Sequence, residues 1–456
     1  MDNTVRLESL RKERELAFSK IKSFNDKFCD ELSFVETDAF LSSKPFINES
    51  EIFEGVLTGY ATVNNTPIYL VAQSSVQLGG SLSKAGAEKI CKCIDKALRA
   101  NAPLITVIDS NGARIGEGVS VLEGYASIIS AASAIAGEIP HICVIKGNAV
   151  GLQATFCALA DFVIALPESV YSVATPMSNA SKANDVRKSS EILGSKPMLK
   201  TGCVHFAPNN EDEAGELIKY LVDYLTLTNR ETQDDFNRQT KVSNLSSAKN
   251  ILDTVCDDKD YKVLSNIEDC IVCSIGWVGE KKVGIVITNG ELTDKAIKNA
   301  TRFINFLDSF NIPLLTFVNS STVQSSIDVE LNGIAETTAN LFYSIASTEI
   351  SKVAVITNKA IGFSYTAFAS KNIGFDYVYA LPNATVSPVT PEVAVDVLYS
   401  QEILSSSDPV SVREKIQNRY EAISDVFTCA KEGYVDNVIE PEQMRAYVIS
   451  ALQMLE

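Results

Sequence analysis

The chain writes one seven-residue phrase twice, DFVIALP at 161–167 and DYVYALP at 376–382. The segments around it repeat in the same order. GYATVNNTPIYLVAQ (59–73) and GWVGEKKVGIVITNG (276–290) both read as hairpins, two β-rich runs about a turn, with Asn64-Asn65 as the first turn. A helical stretch follows each. Ile90, Ile94, Ala97 and Leu98 fall at helical spacing in the first half; Ile297, Ala300, Ile304 and Leu307 do so in the second. Proline-started strands come next, APLITVID (102–109) and IPLLTFVN (312–319). A further apolar helix and a second buried strand follow, IPHICVIKG (139–147) and ISKVAVITN (350–358). After a glycine turn and a small-residue helix the repeated phrase arrives, and SVYSVATP (169–176) is echoed by ATVSPVTP (384–391).

Short continuous apolar strands alternating with helices predict an α/β fold of two similar halves, each a mixed sheet covered by helices. The polar segment from about Thr228 to Asn250 is the expected boundary. It divides the chain into 1–230 and 231–456.

The formal net charge of −17 opposes nucleic-acid binding, which needs a basic face. The N-terminal MDNTVRLESLRKEREL has no apolar signal region, and no run is long and apolar enough to span a bilayer, so a cytoplasmic location is expected. The ten cysteines are scattered; neither CKC (91–93) nor the lone CIVC (270–273) completes a metal site. With two histidines, His141 and His205, the chain has little to offer chemistry that needs a histidine base. Both are expected to be structural, and no metal is expected.

FVETDAF (34–40), LGGSLSKAGAEKI (78–90), DSNGARIGEG (109–118) and HFAPNNEDEA (205–214) carry a family resemblance. In order and spacing the chain resembles the carboxyltransferase (beta) subunits of biotin-dependent acyl-CoA carboxylases, of the propionyl-CoA carboxylase type. It is also similar to the matching subunits of sodium-pumping acyl-CoA decarboxylases. The resemblance runs from the charged N-terminal helix to about Met454, stronger in the first half. It implies two tandem crotonase/ClpP-like spiral ββα units, with 1–230 on the acyl-CoA side and 231–456 on the biotin side. It implies carboxyl transfer between carboxybiotin and a short-chain acyl-CoA such as propionyl- or acetyl-CoA. No Ala-Met-Lys-Met attachment motif or ATP-grasp region is present, so biotin is expected in trans on a carrier protein. The implied partners are that carrier and a biotin carboxylase, or decarboxylase membrane subunits, with a homo-oligomer, a hexamer by resemblance.

By the same resemblance, backbone N–H groups of Gly151 and Leu152 would hold the thioester oxygen, and those of Phe363 and Ser364 the biotin oxygen. The family's Ala-Gly-Gly-Ala falls on Val150, Gly151, Leu152 and Gln153; its Gly-Gly-Ala-Tyr falls on Gly362, Phe363, Ser364 and Tyr365. In both, a large apolar residue replaces the second glycine. The turns are therefore either working oxyanion holes or packed turns inherited from an active ancestor, which would make the chain a weakened paralogue with a structural or regulatory role. Gly112 and Ala113 would turn tightly beside bound CoA. Arg114 either faces a phosphate or braces its loop through Glu117. Gly79 and Gly80 either shape the pantetheine path or form a plain loop, and Thr366 stands where the family selects its acyl group. A hydratase reading lacks its carboxylate pair, since the helix after Gly151 offers only Asp161. A serine protease would need a histidine outside these strand-like contexts.

Overall fold

The computed structural model describes residues 3–43, 53–183, 186–240, 244–264 and 268–455. The chain divides into two compact units, Met1–Leu227 and Thr228–Glu456.

The first unit begins with α1 (Asn3–Asn25) and the short strand β1 (Val35–Thr37). β2 (Val56–Val63) and β3 (Thr66–Gln73) form the expected hairpin. Asn64 and Asn65 have φ of 49° and 64°, the left-handed pair whose twist matches a two-residue hairpin. α2 (Lys84–Ala100) starts where Ser83 Oγ accepts the Gly86 N–H at 2.9 Å. Ile90, Ile94 and Ala97 are buried on its inner face, whereas Leu98, expected with them, is 37% exposed. β4 (Leu104–Ser110), α3 (Val119–Ala134) and β5 (His141–Val150) follow, and α4 (Leu152–Ala158) begins two residues after β5 ends. β6 (Phe162–Ala165) and β7 (Val170–Ser172) precede three short helices, α5 (Pro176–Ala183), α6 (Ser189–Leu193) and α7 (Ser195–Leu199), and then α8 (Glu211–Thr226).

Strands β1 to β6 lie side by side in chain order; the first three pair antiparallel and β3 to β6 parallel. β5 is shared. Its Ile142–Ile145 stretch pairs with β6 and its Asn148–Val150 stretch with β7, so the sheet changes direction along one strand.

The second unit repeats this plan. α9 (Ala248–Val255) and β8 (Tyr261–Val263) lead into the hairpin β9 (Ile271–Val278) and β10 (Lys281–Leu292), turned by Gly279 and Glu280, both at positive φ. Next come α10 (Asp294–Ser309), β11 (Leu314–Val323), α11 (Ile327–Leu331), α12 (Ile334–Ser347), β12 (Lys352–Ile361) and α13 (Phe363–Phe368). β13 (Tyr377–Ala380) and β14 (Thr385–Ser387) are followed by α14 (Pro391–Leu398), α15 (Ser400–Ser405), α16 (Pro409–Ile423) and α17 (Val426–Lys431). β15 (Asn437–Val438) and α18 (Met444–Met454) close the unit. β12 is shared between β13 and β14 as β5 is between β6 and β7. β11 runs on to Val323 before Ser326 caps α11.

The repeated phrase has a mechanical reason. Asp161 Oδ2 accepts the His141 N–H at 2.8 Å, and Asp376 Oδ2 accepts the Lys352 N–H at 2.8 Å. Each aspartate thereby ties its own strand to the start of the shared strand. Leu166 N–H donates to the Ile145 carbonyl at 3.0 Å, and Leu381 N–H to the Ile356 carbonyl at 2.9 Å. Between these ties the phrase is a buried strand, so its apolar letters are core.

Candidate active site

Where β5 ends, Gly151 has φ 69° and ψ −138°; where β12 ends, Gly362 has φ 54° and ψ −115°. Residues with a Cβ are strained in this region, and a Cβ on Gly362 would lie 2.8 Å from the Pro388 carbonyl oxygen. The first glycine of each motif is thus fixed by backbone geometry, and each starts a short helix.

Gly151 N–H donates to the Ser172 carbonyl of β7 at 2.9 Å, and Gly362 N–H to the Ser387 carbonyl of β14 at 2.9 Å. This corrects the expectation that Gly151 supplies a donor: its N–H is consumed in the shared-strand pairing. The next residues begin α4 and α13, where the first N–H groups of a helix have no carbonyl behind them. Ala154 N–H already bonds back to Gly151 and Thr366 N–H to Gly362. The equivalent outward pairs are therefore Leu152 with Gln153 and Phe363 with Ser364. In the first unit this pairs Leu152 with Gln153 rather than with Gly151.

The large residues do not fill the turns in the same way. The Phe363 ring packs edge-on against Phe342 of α12, with centroids 5.1 Å apart and planes at 68°. A cavity of about 610 Å³ opens beside it, lined by Gly362, Tyr365, Thr366, Pro388, Cys429 and Tyr434 among others; Phe363 lies outside the lining. Burial pushes the Tyr365 phenol up to about 12, so it stays a neutral hydroxyl. Leu152 is 38% exposed at the first turn.

The glycine loops of the first half converge on that turn. Gly79 and Gly80 have positive φ, and a Cβ on Gly80 would sit 2.2 Å from the Asp109 carbonyl oxygen. Ser110 Oγ donates to the Gly80 carbonyl at 2.7 Å. Leu82 N–H donates to the Gly112 carbonyl and Arg114 N–H to the Leu82 carbonyl, both at 2.8 Å, which sets Ala113 against Leu82. A Cβ on Gly112 would lie 3.0 Å from the Val150 carbonyl oxygen, one residue before the turn. Gly79, Gly80, Gly112 and Ala113 are therefore brought together next to Gly151.

Arg114 faces inward, which is the bracing alternative rather than the phosphate-facing one. Its guanidinium takes both oxygens of Glu54, at 2.9 and 3.3 Å, with Ser43 Oγ at 2.8 Å and Glu117 at 3.5 Å. Burial raises the Glu54 carboxyl, but Ser83, Ser43 and Arg114 more than offset it and leave it below its ordinary value. A bidentate, nearly buried pair of this kind braces the loop.

His141 Nε2 lies 3.0 Å from Thr106 Oγ1, and burial lowers its pKa to about 3. His205 Nδ1 accepts the Val163 N–H at 2.9 Å. Both are structural, as expected. Among the described residues no group of three or more His, Cys, Asp or Glu is placed to hold a metal, and no helix is long and apolar enough to cross a membrane.

Residues 20–456 match the family model described as "Carboxyl transferase domain". The putative propionyl-CoA carboxylase beta chain of Bacillus subtilis (strain 168) is 33% identical over 93% of this chain and 88% of its own length. The methylmalonyl-CoA decarboxylase subunit alpha of Veillonella parvula is 32% identical over 94% and 88%. The transcarboxylase 12S crystal structure, a hexamer assembly with methylmalonyl-coenzyme A bound, superposes with a TM-score of 0.91 and 26% identity, covering 98% of this chain and 94% of that one. With a shared strand and a glycine-started helix in each of two repeated units, and a match over nearly its whole length, the chain belongs to the carboxyl transferase family and has the crotonase-like carboxyltransferase fold.

Proposed function

We propose that the protein transfers a carboxyl group between biotin on a separate carrier protein and a short-chain acyl-CoA such as propionyl- or acetyl-CoA. The observation that carries this reading is the pair of matched turns, each presenting two N–H groups at a helix start beside a glycine that admits close approach. The N–H groups of Leu152 and Gln153 hold the thioester oxygen as negative charge gathers on it; those of Phe363 and Ser364 hold the ureido oxygen of biotin. Fixed donors aimed at a developing oxyanion are worth about 10²–10³ in rate each. The first unit takes the acyl-CoA, with Gly79, Gly80, Gly112 and Ala113 shaping its path, and Thr366 lines the cavity of the second unit.

The cavity beside Gly362 suits a neutral ring: its lining carries phenols, hydroxyls and one carboxylate, Glu432, without lysine or arginine. Biotin, when bound there, would carry the carboxyl group and supply the basic ureido function. The side chains of this chain orient and enclose it, and the chemistry asks for no histidine base.

The partners are a biotin carrier with a biotin carboxylase, or decarboxylase membrane subunits, and further copies of this chain, in the cytoplasm. Exposed Leu152 favours a second reading, a catalytically weakened subunit that scaffolds an active one. One experiment separates them. Purified protein given biocytin should release CO2 from malonyl-CoA or methylmalonyl-CoA in a biotin-dependent way. Failure with every acyl-CoA, together with no CoA binding by calorimetry, would establish the scaffold.

A further inference from the structure

Each unit buries a polar side chain at the second position of the helix after its glycine, and helix formation explains neither. Ser364 is fully buried in α13. A hydroxyl inside a helix competes with the backbone, and a buried one without a partner is destabilising. Its O–H donates to Ser320 Oγ at 2.8 Å, and the Ser320 O–H donates to the Gly290 carbonyl at 2.7 Å. Ser320 stands at the break in β11–β12 pairing, and Gly290 at the break in β10–β11 pairing. The relay therefore ties the start of α13 to the two strand ends beneath it. At the other end of the same helix, Thr316 Oγ1 of β11 donates to the Phe368 carbonyl at 2.6 Å.

The first unit reaches the same result with other residues. Gln153 is 1% exposed, and its Oε1 accepts the O–H of the fully buried Tyr125 of α3 at 3.3 Å. Tyr171 O–H donates to the next carbonyl, that of Ala154, at 3.1 Å.

We propose that Gln153 and Ser364 are positioning residues that, through Tyr125 and Ser320, fix the direction of the N–H groups at the start of their own helices. α4 has seven residues and α13 six, too few for internal bonds alone to hold an orientation. The ring of Phe363, seated on Phe342, pulls the first turn of α13 toward α12. Ser364 holds the same turn to β11, so the two contacts set its rotation between them. A displacement of about 1 Å in groups that hold reacting atoms costs about 10²-fold in rate.

The kinetic consequence rests on the proposed function; the geometric one does not. The test uses the full chain with Ser364→Ala, Ser320→Ala and their double variant, then Gln153→Ala, Tyr125→Phe and theirs. Transfer is followed with biocytin and propionyl-CoA, and amide hydrogen exchange over 149–158 and 359–368. Each single variant should lose about tenfold in kcat, less than removal of a donor, with KM for the remote substrate unchanged. Each double variant should be no worse than its worse single, and Ser364→Thr, which keeps the hydroxyl, should recover most of the loss. Exchange should quicken at the altered turn alone. Unchanged kcat and exchange, or additive losses within a pair, would overturn the proposal. Wild-type protein without transfer would remove the proposed function, and the exchange comparison would still decide the positioning role.

Discussion

Lys89 lies on the inner face of α2 with no solvent exposure, and its Nζ donates to the Val56 carbonyl at 2.6 Å. Burial, helped by the nearby charge of Arg14, lowers its pKa to about 8. The unfolded chain then holds this proton more tightly than the folded one between pH 8 and the ordinary lysine value of 10.5. Stability should rise with pH across that window and stand lower at pH 7. Lys89→Met should raise stability at pH 7 by about 1–3 kcal/mol and flatten the rise, as urea denaturation at pH 7 and pH 10 would show. Glu54 has the opposite sign. Its carboxyl is held below its ordinary value, so its stabilisation is present above about pH 4.5 and lost as pH falls through the depressed pKa. Glu54→Ala leaves Arg114 without its carboxylate and should cost about 3–5 kcal/mol at pH 7 by the same measurement. A loss below 1 kcal/mol would mean that Arg114 finds another partner.

At the scale of elements, the phrase that repeats is a strand tied at both ends. Asp161→Ala and Asp376→Ala each remove a charged acceptor from a strand-start N–H and should each cost about 1–3 kcal/mol in denaturant unfolding. Comparable losses are expected because the two ties have the same length, 2.8 Å. The hairpins, long helices and parallel strands were legible because burial imposes a period on them. Asn64-Asn65 even disclosed its turn. The shorter devices were not legible. Gly151 loses its donor to Ser172, a partner set by parallel pairing with β7. Arg114 is claimed by Glu54, sixty residues earlier in the chain. No local pattern predicts either bond. Helices α5 to α7 and α14 to α17 also escaped a sequence reading, being mostly too short to show a helical period. The glycines were the legible part of the site; the hydrogen bonds that direct its N–H groups were not.

For the molecule as a whole, charge and surface pull in opposite directions. A net charge of −17 keeps copies apart at low salt. Yet Val397 and Leu398 of α14 and Leu404 of α15 are 71%, 64% and 82% exposed, within a few residues of one another. Clustered exposure of large apolar groups marks a surface that is covered by a partner. A second copy of the chain is the occupant inferred above. Burying one such side chain gains about 1.5–3 kcal/mol, and a two-fold contact counts each residue twice. Val397→Asp with Leu404→Asp should therefore lower the assembled mass in sedimentation at micromolar concentration to a smaller multiple of the 49.4 kDa chain, with an unchanged circular dichroism spectrum. Salt gives an independent sign. Screening weakens repulsion between like-charged copies and leaves apolar burial intact, so association of the wild type should tighten as salt is raised. Dissociation by salt would instead assign the contact to ion pairs and leave the α14–α15 surface to a different protein.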